Sequence, residues 1–447
     1  MSAPLTKSRV LHEAWPYILA NATTPLLGLT DTAVLGHGGA AVDLAAIALG
    51  ALVFSFSYWT FGFLRMSTTG FVAQAHGADR LGDVVTAGMR ALVLGVSIGS
   101  LLLLAAPLLQ QFAFSIFHGG RAEEELAGAY FRARIFGAPG ALATLGASGL
   151  LIGLGRSREV LVAQLLTNGC NIVLDVAFVQ GLGWGAEGVG WGTAIAEWVG
   201  CLVTVGLAVR VLVGRGVRRV DWAEVFSASG LRGTFRANRD IMIRTLSMIL
   251  AFAFFTDQGA RQGSVTLAAN HLLLQFVSFS AFFLDGFANV AEAHVGAALG
   301  ARARSELFRA IRVTTFWAAC FGLLLGAVVF FFGASLLALL TDLPRVRAEA
   351  SSFLVPAAAY VVASFGAFQL DGVFIGAGWS GSMRNAAVFC SASFLTGGWF
   401  AAARWGNGGL WWAFVAYVAL RGLSLGYLLP RNLKSAFSSV SERDARS

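Results

Sequence analysis

The sequence predicts an all-α membrane protein: twelve transmembrane helices in two six-helix lobes related by pseudo-twofold symmetry along the membrane normal. Three observations predict it. Of 447 residues, 57% are hydrophobic and only 13% charged, against about 25% charged in soluble domains. The hydropathy, averaging +0.71, resolves into twelve apolar stretches. Short motifs in the first half of the chain recur in the second.

The stretches run roughly over 11–35, 44–72, 84–112, 125–153, 158–180, 187–212, 236–260, 264–296, 306–340, 348–377, 383–402 and 408–429, each long enough to cross a hydrocarbon core of about 30 Å at 1.5 Å per residue. The longer ones tilt or extend beyond the core. Glycine is abundant, at 54 residues, as close helix packing in lipid requires. The amino-terminal stretch shows no cleavable leader. Lys7 and Arg9 precede an apolar segment that reads as a retained first helix.

Charge placement orients the spans. The net charge of +8 comes almost wholly from arginine, since only Lys7 and Lys434 are lysines. With the amino terminus in the cytoplasm, the inside segments hold Arg80, Arg90, Arg156, Arg158, the run from Arg210 to Arg244, Arg302 to Arg312, Arg384 and the tail from Arg421. The outside segments hold only Arg121, Arg261, Arg345, Arg347 and Arg404. This is the positive-inside pattern. It places both termini in the cytoplasm, and the membrane expected is the plasma (inner) membrane. The basic balance thus reflects topology and calls for no nucleic acid partner.

Residues 214–235 form the longest polar break and are expected as a cytoplasmic linker between an amino-terminal lobe, 1–213, and a carboxy-terminal lobe, 236–430, with a tail at 431–447. The linker mixes aromatic and basic residues. It reads equally as a solvated loop and as a segment lying on the inner membrane surface. The repeat falls on either side of it. Val72–His76 (VAQAH) recurs as Val290–His294 (VAEAH), and Leu150–Ser157 (LLIGLGRS) as Val373–Ser380 (VFIGAGWS). Both halves begin inside with the same span count, so the repeat is parallel.

Acids inside apolar spans are the candidate site, because each costs about 2.5–3.5 kcal/mol at a span centre. Asp31 lies in span one, Asn171 and Asp175 in span five, Thr193 and Glu197 in span six. Tyr130 enters span four from outside. Counted from the outer ends, Asp31, Asp175, Tyr130 and Thr193 share a depth of roughly 6–9 Å. Asn171 and Asp175 are four apart and share a helix face, as do Thr193 and Glu197. The set is all hard oxygen and amide, suited to protons or a small hard cation rather than a soft metal. A carboxylate away from bulk water is poised to take a proton from one side and release it to the other. The alternative is a satisfied interhelical hydrogen-bond network. In the second lobe, Asp285 and Glu292 on span eight and Asp371 on span ten sit in the inner half. They read as structural or gating groups ahead of primary ion ligands, with Arg65 as an available cation. Pro16 and Pro25 interrupt span one, and either fix a static kink or let the helix bend.

At this point the chain resembles the multidrug and toxic compound extrusion (MATE) transporters, most closely their DinF-type branch. The stretches that carry the resemblance are Asn21–His37, Phe61–Gly77, Leu370–Ala377 and Met383–Ala386. It implies export of lipophilic, often cationic compounds by antiport with protons or sodium. It also implies a polar site of a first-helix Asp, a fifth-helix Asn and Asp, a sixth-helix Thr and a fourth-helix Tyr, which Asp31, Asn171, Asp175, Thr193 and Tyr130 match. A helix-bending proline of the family matches Pro16. No cofactor is expected. The coupling ion is a proton, or sodium at Asp31, Asn171, Asp175 and Thr193. The partners expected are a small xenobiotic and the bilayer, with the chain a monomer.

Other classes lack their chemistry. Four cysteines, Cys170, Cys201, Cys320 and Cys390, show no Cys-x-x-Cys and fall in spans as buried thiols. There is no Walker motif to bind ATP and no His-Glu-x-x-His. No nucleophile–base arrangement suggests an enzyme. A flippase for lipid-linked saccharide or another polar lipid is the second reading. It asks for a more cationic interior.

Overall fold

Long apolar runs in lipid satisfy their backbone groups internally, which leaves helices as the element available to this composition. A computed structural model describes residues 5–38, 54, 58–116 and 121–444, and at 24–38, 113–116, 121–123 and 438–444 the backbone alone. Every regular element among the described residues is helical. In chain order they are α1 (Lys7–Gly38), α2 (Phe63–Gly77), α3 (Leu81–Leu104), α4 (Ala106–Ile116), α5 (Arg121–Arg134), α6 (Ala138–Gly153), α7 (Ser157–Asp175) and α8 (Gly185–Gly214). A short α9 (Trp222–Val225) follows, then α10 (Ala228–Arg261), α11 (Ser264–Gly300), α12 (Arg304–Leu340), α13 (Pro344–Ser352), α14 (Leu354–Gly376) and α15 (Ser380–Asp444).

Twelve spans account for these helices apart from α9, which lies in the 214–235 segment. The second is described only in its later part, which includes α2. The third joins α3 to α4. The fourth joins α5 to α6 through a 3₁₀ turn at Ile135–Gly137, just ahead of Pro139, which has no N–H to give to an α-helical bond. α15 holds the last two spans, divided at Gly406, whose φ of 59° and ψ of −145° suit a residue without Cβ. Eight described helical stretches, with α5 and α6 joined as one and α7 extended to Gly181, are long and apolar enough to cross a membrane.

The chain forms two compact units, residues 19–238 and residues 1–18 with 239–447. The divisions fall inside α1 and α10, at places hydropathy does not mark. α1 therefore begins in the carboxy-terminal unit. There Trp15 packs on Phe283 with ring centroids 6.5 Å apart, and Trp317 Nε1 donates to the Lys7 carbonyl at 2.9 Å. Glu13 lies 2.6 Å from His294 Nε2. The helix is continuous through Pro16 and Pro25.

Each unit is built on a close backbone approach of the kind small residues permit in membranes. In the amino-terminal unit α6 packs on α2. A Cβ at Gly149 would lie 2.5 Å from the Arg65 carbonyl oxygen. In the carboxy-terminal unit α14 packs on α11 in the same way, with a Cβ at Gly376 falling 2.3 Å from the Glu292 carbonyl oxygen. The core of that unit is aromatic: Phe414 stacks on Phe255 at 4.5 Å and on Tyr360 at 4.4 Å.

Candidate functional site

In the amino-terminal unit α7 and α8 bring three of the expected residues together. Asn171 Nδ2 donates to Thr193 Oγ1 at 3.3 Å. Asp175, one turn on from Asn171, is fully buried and faces the next helix at Gly192, where an added Cβ would sit 2.2 Å from its Oδ1. Asp175 is also the last α-helical residue before a π-helical turn, Val176–Gly181. Such wide turns recur at functional sites because they re-aim side chains. Nothing in the apolar pattern announces it.

Tyr130 from α5 is fully buried, and its hydroxyl accepts a hydrogen bond from Arg134 Nη1 one turn later. Arg134 in turn faces Glu197, with 3.9 Å between Nη2 and Oε1. The guanidinium lies over the Phe54 ring at 4.6 Å. Tyr58 donates to Glu197 Oε2 at 3.2 Å. Gly137, in the 3₁₀ turn, leaves room for that carboxylate, since a Cβ there would fall 2.0 Å from Oε2. Glu197 thus belongs to an ion-paired group one turn from Thr193. Arg134 had no part in the site expected from sequence. The signal available was the i,i+4 spacing of Tyr130 and Arg134 opposite a span-six acid.

The side chains of Asp31 and Pro25 lie outside the described residues. The backbone at both belongs to α1. Pro16 is half-buried and lies in the stretch of α1 that packs with the carboxy-terminal unit.

In the carboxy-terminal unit Asp371 has two arginine partners from its own unit. Arg244 of α10 and Arg421 of α15 both donate to Asp371 Oδ2, the latter at 2.7 Å. All three side chains are close to nine-tenths buried or more. Arg421 also lies 5.8 Å over Tyr417 in the aromatic core. These two arginines, counted from sequence among the inside charges, are interior groups. Arg65, weighed as an available cation for the second-lobe acids, is half-buried on α2. Asp285 is half-buried on α11, and Glu292 is 2% exposed. The four cysteines are free. Cys201 and Cys390 are buried as expected, whereas Cys170 and Cys320 are only half-buried. Among the described residues no three His, Cys, Asp or Glu side chains form a metal-binding group.

The 214–235 segment is anchored to its unit. Asp221 caps α9 by accepting from the Ala223 and Glu224 amides. Arg90 of α3 donates to the Glu224 and Val225 carbonyls and to Ser227 Oγ. Nearby, in the last turn of α2 and past the apolar 44–72 stretch, His76 Nδ1 lies 3.3 Å from Arg215 Nη1. Burial, then the Arg215 charge, pulls the His76 pKa below its ordinary 6.5, against a smaller opposing pull from Asp79.

Known proteins fit this architecture. Residues 16–177 and 241–396 match the MatE family model. The chain is 37% identical over 432 residues to DNA damage-inducible protein F of Escherichia coli (strain K12), which covers 95% of this chain and 92% of that protein. It is 26% identical over 443 residues to Protein DETOXIFICATION 44, chloroplastic, of Arabidopsis thaliana, covering 92% and 80%. A crystal structure of MATE in the bent conformation shares the fold with a TM-score of 0.86 at 22% identity, covering 97% and 96% of the two chains. The outward-facing conformation of a multidrug resistance MATE family transporter gives 0.86 at 21%, covering 96% of each. With the family model spanning most of the chain and a full-length relative above a third identical, the chain belongs to the MatE family of multidrug and toxic compound extrusion transporters.

Proposed function

We propose that the protein is a secondary antiporter that exports lipophilic, cationic compounds in exchange for protons by alternating access. The observation that carries this reading is the part-buried Asn171–Thr193 hydrogen bond beside the fully buried Asp175, in largely apolar spans. Asp31, on the helix that passes from one unit to the other, is the proton acceptor in this reading. Asp175, Asn171, Thr193 and Tyr130 support it. A membrane potential adds about 2.3 kcal/mol per 100 mV for each net positive charge carried inward, so it assists only where more protons enter than drug charges leave, and a one-for-one exchange of a proton for a monovalent cation runs on the pH gradient. Sodium is the competing ion, since the same oxygens suit a small hard cation. The reading also puts both termini and the 214–235 segment on the cytoplasmic side of the inner membrane. It has the chain working as a monomer without a cofactor.

The test is transport by purified protein in proteoliposomes, with a pH gradient and a sodium gradient imposed separately. Efflux of a lipophilic cationic dye that follows the pH gradient is the expected result. Efflux that follows sodium and ignores pH would reject the proton. The flippase reading gains one observation: Arg244 and Arg421 outnumber the acid they share. It predicts lipid scrambling without any imposed gradient, which the same vesicles can report.

A further inference from the structure

At the end of the amino-terminal unit that carries the 214–235 segment, the start of α7 and the last turns of α8 enclose a cavity of about 340 Å³. Arg156, Arg210 and Arg215 line it against one acid, Glu159. Glu159 is engaged by Arg156 at 3.4 Å, so the wall keeps an excess of positive charge. Arg210 is exposed and has no hydrogen-bond or ion-pair partner among the described residues. The floor is apolar. Leu207 and Val211, one turn apart on α8, supply it.

We propose that this cavity binds the phosphate group of an anionic membrane phospholipid. Guanidinium groups hold phosphate oxygens in paired, charge-assisted hydrogen bonds, and three of them converge here. Two further observations favour a lipid over free phosphate. Val209 and Val213, 50% and 60% exposed on α8, give acyl chains an apolar surface to run along beside the cavity. Past the cavity the chain carries exposed Arg218 and Arg219, then Trp222 and Phe226, which are half-exposed and stacked 6.1 Å apart. Exposed aromatics beside basic residues sit at the level of lipid head groups. The cavity therefore opens at head-group depth. On the proposed orientation it faces the anionic cytoplasmic leaflet.

The experiment uses the full-length protein, delipidated in detergent and examined by native mass spectrometry. Phosphatidylglycerol, phosphatidylcholine and inorganic phosphate are titrated in turn. The account predicts one retained phosphatidylglycerol, bound about tenfold or more tighter than phosphatidylcholine, and weakened by about the same factor in Arg210→Gln. Arg210→Lys keeps most of the binding. Arg218→Gln, which removes the same charge outside the cavity, keeps it as well. Arg210 is exposed and unpaired among the described residues, so its replacement leaves the fold intact, checked by an unchanged melting temperature. Equal loss in Arg218→Gln would show diffuse attraction and overturn the site. Unchanged binding in Arg210→Gln would do the same. Retention of inorganic phosphate without phosphatidylglycerol would overturn the lipid. None of these readouts depends on transport, so the antiport reading and this one can fail separately.

Discussion

A methyl group at residue 192 would stand 2.2 Å from Oδ1 of Asp175. The buried carboxylate occupies its place on α7 because Gly192 on α8 has no side chain. Gly192→Ala must therefore displace the carboxylate while leaving every polar group of the site in the chain. Overpacking of this kind costs about 1–3 kcal/mol, and the low end applies because the severe clash is with the carboxylate, the Asp175 backbone nitrogen standing 3.3 Å away. The expected variant inserts and melts close to wild type but loses most gradient-driven efflux. Wild-type efflux from a correctly inserted variant would show that the position of Asp175 does not matter.

The Arg134–Glu197 pair is expected to be structural as well as polar. Taking one partner from a buried pair leaves the other uncompensated, typically at about 3–5 kcal/mol. Arg134→Met should lower the melting temperature markedly. The double variant Arg134→Met with Glu197→Gln should recover much of the loss, since Tyr58 can still bond the amide. A single variant that melts like wild type would dissolve the pair's structural role.

Asp371→Asn is expected to damage the carboxy-terminal unit for a related reason. Arg244 and Arg421 would face each other across an uncharged amide, a loss of up to about 3–5 kcal/mol. Melting in detergent is the measurement. A variant of native stability that has lost only transport would mark Asp371 as an ion ligand instead of a clamp.

His76 gives a pH dependence with a definite sign. Its folded-state pKa is lowered from 6.5. As pH falls through 6.5 the unfolded chain takes up a proton that the folded chain resists. Stability contributed by this residue is thus full above that pH and declines below it, down to the folded-state pKa. Melting temperatures on the two sides of pH 6.5 should differ less in His76→Gln than in wild type. An identical acid-side loss in both proteins would assign the effect to other groups.

The fold was legible because lipid leaves helices few alternatives, and length and hydropathy alone mark the spans. Four-residue spacing put Asn171 and Asp175 on one face of α7, but spacing could not pair Asn171 with Thr193, which lies on the next helix. Side-chain facing within a span was not legible. Arg244 and Arg421 look like topogenic charges in a count by position, yet Asp371 draws both inward. The π-turn after Asp175 and the 3₁₀ turn beside Gly137 depend on local backbone geometry that periodicity averages away. The grouping of residues 1–18 with the carboxy-terminal unit rests on contacts such as Trp15 with Phe283, which no local pattern encodes.

The central claim is that the carboxylates of the amino-terminal unit exchange protons for drug. Proteoliposomes holding a trapped pH-sensitive dye test it most directly, with proton movement recorded when a cationic substrate is added. The account predicts substrate-triggered proton flux in the wild-type protein and none in Asp31→Asn or Asp175→Asn, with both variants folded and inserted. Proton flux at the wild-type rate in either variant, or drug movement in the wild type with no proton flux at all, would contradict it.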